Sequence, residues 1–170
     1  MLMQHIFAIV IADGPIDWKR SLTAEGQPGI RECFMIVQGD DDGPQVIAEL
    51  DGPTATNLAQ YSEYIARGYI VVGHSVEYHV GHLRATMIPM GIDPRDGLTR
   101  TICTMLGLTG HVPKFNGRRG WPTFAETCHH FGIERAGTET AQDNAICLAR
   151  VFESATRAGI EFTPKTWKER

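Results

Sequence analysis

The stretch Val71–Leu83 reads VVGHSVEYHVGHL, and the change of period inside it decides the architecture of the chain. Tyr69–Gly73 is a short, β-branched apolar run closed by glycine, the pattern of a buried strand. From Val76 the apolar positions Val76, Val80, Leu83 and Met87 fall on one face of a helix, which Pro89 and Gly91 stop. A strand that feeds directly into a helix points to an α/β order. Between the two lie His74-Ser75 and, in the first turn of the helix, Tyr78-His79.

Towards the N-terminus, His5–Ala12 (HIFAIVIA) is continuously apolar and predicts a central strand buried on both faces. Asp13–Gly29 is rich in Gly, Pro and polar residues and reads as a long loop. Arg31–Gln38 and Gln45–Leu50 predict two strands joined by Gly39–Pro44 (GDDDGP), completing an antiparallel meander with the first. The Asp40–Asp42 run lacks the ligand spacing and closing glutamate of a calcium loop and reads as a hairpin turn. After Pro53, Thr54 caps a helix with Leu58, Tyr61 and Ile65 at helical spacing, and Gly68 ends it.

Towards the C-terminus, the pattern predicts a strand over Arg100–Met105, a short helix over Thr123–Phe131 and a longer one over Ala141–Ala158. The longer helix faces the core with Ala141, Ala145, Leu148 and Phe152. Residues 1–163 read as one domain, and the polar tail 164–170 (PKTWKER) as frayed.

At 170 residues the chain is long enough for one well-buried core without disulfides. Cys33, Cys103, Cys128 and Cys147 are widely spaced with no Cys-x-x-Cys pair, so they read as buried, reduced thiols. The longest apolar run, Ile6–Ala12, is far below the roughly 20 residues of a membrane span. No basic segment precedes it, so the expectation is a soluble, cytoplasmic protein without membrane partners. The net charge of −4 argues against broad capture of nucleic acid, but it is unevenly spread. Residues 1–100 carry 13 acidic and 7 basic side chains, and residues 101–170 carry 7 and 9. A nucleic-acid surface is therefore expected on the C-terminal half.

The quoted residues resemble the DnaQ-like (DEDD) 3′–5′ exonuclease superfamily. There, an apolar strand ends in a small residue and His-Asn, and a helix opens with an aromatic-Asp pair. Two further stretches carry the resemblance: Cys103-Thr104-Met105, and Trp121–Ile133 (WPTFAETCHHFGI) with the following Asp143-NAICLARVF. The resemblance implies a ribonuclease H-like three-layer fold, with a central mixed five-stranded sheet flanked by helices. It also implies a site where four carboxylates hold two divalent metals.

This chain departs from that pattern at specific places. The first motif should read Asp-x-Glu, and the chain has Asp13-Gly14-Pro15; in a register shifted by one residue even the aspartate is lost. His79 stands where the second-motif aspartate belongs. The base histidine of the third motif falls on Thr138, and the tyrosine of the other subclass falls on Glu139. Losing two carboxylates removes about two negative charges from a site that must neutralise two divalent ions.

The resemblance thus implies a degenerate centre of Asp13, His79, Glu139 and Asp143. No cofactor is expected there; Mg²⁺ or Mn²⁺ would enter only if the centre is active, with Asp13, His79 and Asp143 as ligands. It further implies that His79 and Asp143 face one cleft. The basic, Gly-rich segment KFNGRRGW offers Lys114, Arg118, Arg119 and Trp121 to a nucleic-acid strand, with His74 counted in the same set; packing of Trp121 on the core is the other reading. The expected function is a binding module for single-stranded ends, or for a replication, repair or defence protein. The alternative is an active metal-dependent 3′–5′ exonuclease on single-stranded DNA or RNA with a rearranged metal shell.

Overall fold

The computed structural model describes residues 4–19, 26–39, 45–137 and 139–168. Residues 40–44 of the expected hairpin turn and Thr138 lie outside them. Six strands form one mixed sheet: β1 (His5–Ala12), β2 (Ile30–Gly39), β3 (Gln45–Asp51), β4 (Ile70–Gly73), β5 (Arg100–Cys103) and β6 (Lys165–Thr166). Their spatial order is β3-β2-β1-β4-β5-β6. The first three make the expected antiparallel meander, and β4 and β5 add in parallel.

β1 is central, and its alternation sorts the two faces. Ile6, Ala8 and Val10 pack with α1 (Ala55–Ala66) and α2 (Val76–Met87), through Leu58, Tyr61, Ile65, Val80 and Leu83. Phe7 and Ile9 point to the opposite face, under Ala141, Ala145 and Leu148 of α5 (Ala141–Arg157). A third cluster sits beside α5, where Cys147 and Val151 meet Cys128 of α4 (Phe124–His130). All four cysteines are free thiols, with Cys103 half-buried and the others buried. Among the described residues no helix is long and apolar enough to cross a membrane.

Thr54 caps α1 as expected, its side chain accepting the Asn57 amide. Two expectations need correction. The strand expected to reach Met105 stops at Cys103, because its ladder partner β4 ends at Gly73, opposite Cys103. The chain turns there into α3 (Thr104–Gly107). The tail is not frayed over its first residues: Lys165 and Thr166 pair with Thr101 and Arg100, which makes six strands where five were expected. Trp167 is buried, donates its amide to the Thr99 carbonyl at 2.8 Å and receives the Arg84 guanidinium over its ring.

Candidate functional site

Parallel pairing of β1 with β4 runs from His5 to Phe7, so β1 continues past the end of β4 with backbone groups that need partners. His79, in the first turn of α2, meets that need. The Val10 amide donates to His79 Nδ1 at 3.0 Å, which leaves the proton on Nε2 to donate to the His74 carbonyl at 3.1 Å. Burial pushes the His79 pKa down to about 4; the His74 carbonyl opposes this, and the His74 and His82 rings add to it. The side chain is therefore a neutral imidazole near neutral pH, with both nitrogens committed to backbone.

His74 is also fixed at both nitrogens. Its Nε2 donates to the Pro122 carbonyl at 2.9 Å, and its Nδ1 lies 3.1 Å from the Thr104 hydroxyl. Its ring packs against Phe124. The histidine at the end of β4 thus ties the sheet to the root of the KFNGRRGW loop. Ser75, to which the resemblance gives an asparagine's place, takes the left-handed conformation (φ 65°) that lets β4 run straight into α2.

The segment leaving β1 folds onto the same helix. Ile16 is buried, and a Cβ built on Gly81 would stand 2.8 Å from Trp18 Cη2, so the close approach of Trp18 requires glycine there. Beneath this segment His82 is fully buried with neither ring nitrogen in a hydrogen bond. Burial lowers its pKa, while the Pro28 and Gly14 carbonyls facing it favour the charged form. The sequence carries signals for this packing: two large apolar residues in a polar loop, and a lone glycine inside a helix.

Of the expected carboxylates, Asp143 and Glu139 take local partners. Asp13 is exposed, and its amide donates to the Gly29 carbonyl. Pro15 has no donor atom for a metal. Asp143 Oδ2 accepts the Thr140 hydroxyl at 2.7 Å, while the Thr140 side chain caps α5 by accepting the Asp143 amide. Glu139 pairs with Arg135 at 3.0 Å. His79 and Asp143 ride on helices that pack on opposite faces of the sheet. Glu32 on β2, which the motif reading passed over, accepts the Ala141 amide at 3.0 Å, two residues before Asp143.

Two divalent ions need several oxygen donors converging on one point. Among the described residues no group of three or more His, Cys, Asp or Glu side chains could hold a metal ion. The described residues bring no such set of donors together.

The basic loop is held at its roots and open at its surface. Glu126 accepts the Thr123 amide at 2.7 Å on one carboxylate oxygen and the Phe115 amide at 2.8 Å on the other. These two bonds, the Thr123 amide first, hold its carboxyl below the usual carboxylate range. Lys114 Nζ donates to the Trp121 carbonyl at 3.1 Å. Arg118 and Arg119 are exposed, and Trp121, for which core packing was the other reading, is 61 % exposed. Thr123 and Glu126 form a capping box legible in the sequence; the reach of Glu126 across to Phe115 is not. A separate cavity of about 940 Å³ between β1 and the end of α5 is lined by His5, Phe152 and Phe162, at the other end of β1 from His79's partner Val10.

No family model and no curated protein matches the chain. A solved structure described as "3'-end specific recognition of histone mRNA stem-loop by 3'-exonuclease" is similar, with a TM-score of 0.64. The two share 8 % identity, over 99 % of this chain and 92 % of that one. The chain therefore has an exonuclease-like fold.

Proposed function

We propose that this chain is an exonuclease-like module that holds nucleic-acid ends and does not hydrolyse them by the two-metal route. One observation carries the reading: both nitrogens of His79, in the place of a metal-binding carboxylate, are engaged by Val10 and His74. An ion would have to displace a buried backbone bond to reach it. The exposed loop with Lys114, Arg118, Arg119 and Trp121 supports binding, since it joins cations for phosphates to a ring for a base. The similar structure, described as recognising an RNA 3′ end, adds support from the fold.

The alternative is a metal-dependent 3′–5′ exonuclease with a rearranged shell. It draws support from Glu32, an extra carboxylate that reaches from β2 to the Ala141 amide, two residues before Asp143.

Incubating a 5′-labelled single strand with Mg²⁺ or Mn²⁺ separates the two. The expected result is a bound but uncut strand. Laddering that disappears in both Asp143→Ala and Glu32→Gln would establish the alternative. Absence of binding at low salt would leave docking on a replication, repair or defence protein.

A further inference from the structure

We propose that Phe115 and Trp121 form a pair of stacking platforms for unpaired bases. The ligand class is then single-stranded nucleic acid with at least two unpaired nucleotides, taken with little base selectivity. This rests on the nucleic-acid reading above and names what that site binds.

Among the described residues these two are the most exposed large hydrophobics, at 66 % and 61 %. Apolar area left in water forgoes the stabilisation of burial, and two aromatic rings in one short loop are a patch that a partner would cover. The loop does not hold them loosely. Phe115 is pinned through its amide to Glu126, and its ring meets His129 edge-on at 5.3 Å. The Trp121 carbonyl is held by Lys114, and the next residue, Pro122, by His74. Between the two residues along the chain, the Arg118 amide donates to Asn116 Oδ1 at 3.0 Å, closing the turn that carries both exposed arginines.

A loop that carries two exposed arginines and two exposed rings matches a strand made of phosphates and bases. Within a duplex the base faces are covered by their neighbours, so only unpaired bases can lie on such rings. Every base has a π-face, which makes stacking tolerant of sequence.

The test is fluorescence anisotropy at low salt with labelled dodecamers of thymidine and of adenosine, and a blunt hairpin. Phe115→Ala and Trp121→Ala should each weaken binding of both single strands by about 5- to 150-fold. Trp121→Phe should restore most of the loss. The hairpin should bind more weakly than either strand and respond to neither alanine change. Both rings are exposed, so thermal melts should match the parent; Leu106→Ala, an exposed apolar change outside the loop, should bind like the parent. Strands held normally by both alanine variants but released by Arg118→Ala with Arg119→Ala would overturn stacking and leave the nucleic-acid reading standing. No binding of any strand by the parent would overturn both.

Discussion

The Val10 amide on β1 donates to His79 Nδ1 on α2 across 3.0 Å, joining residues 69 positions apart. This bond supplies a partner to a strand that outruns its neighbour β4. The side chain to which the resemblance gives the place of a metal-binding carboxylate thereby becomes part of the sheet's own hydrogen bonding.

Replacing His79 should therefore unsettle the fold. His79→Ala leaves the Val10 amide and the His74 carbonyl without their partner in a buried site, and an orphaned buried group costs about 1–3 kcal/mol. The lost ring adds a cavity. Urea unfolding should show a lower midpoint at an unchanged slope; an unchanged midpoint would mean that the bond contributes nothing to stability.

Acid should weaken the protein through the same residue. The folded pKa of about 4 lies below the ordinary histidine value of 6.5, so the unfolded chain binds more protons between those values. The contribution of neutral His79 is full above pH 6.5, falls as the pH drops towards 4 and levels off below. A shift of this size corresponds to roughly 3 kcal/mol. His74 and His82, also lowered by burial, act in the same direction. Melting temperature against pH should decline across that window, and less steeply in His79→Gln.

Glu126 should set the stiffness of the basic loop. Its two oxygens bridge the Phe115 and Thr123 amides, at the two ends of a segment holding Arg118 and Arg119, with Lys114 immediately before it. Glu126→Ala should speed trypsin cleavage at Lys114, Arg118 and Arg119 under native conditions. Cleavage at the parental rate would show that the loop is held by other contacts.

Arg118 and Arg119 should set the salt dependence of binding. Each phosphate contact to a single strand contributes about 0.7 to the slope of log affinity against log salt. The double alanine variant should flatten the slope by about 1.4. An unchanged slope would move the strand to another surface.

The order of elements was legible in the sequence because periodicity is a local property. The apolar run His5–Ala12, the Thr54 cap and the shift from strand to helix after Gly73 each depend on neighbours within a few residues, and each appears where its pattern predicts. The end of β5 and the pairing of β6 were not legible, since both are set by partner strands far along the chain. Trp167 in a polar tail signalled only that something apolar needed burial.

The chain alone showed Pro15, His79 and Glu139 at places where the resembling family has other residues. What His79 does there followed from the packing of distant elements. A histidine offers one donor and one acceptor to whatever surrounds it, and the choice fell to Val10 and His74 because β4 ends where it does. Likewise the string KFNGRRGW allowed Trp121 either to pack inward or to face water. The grip of Glu126, Lys114 and His74 on the roots of the loop left it outward, because bonds from side chains to backbone groups elsewhere in the chain fix a loop's direction and no local pattern encodes them.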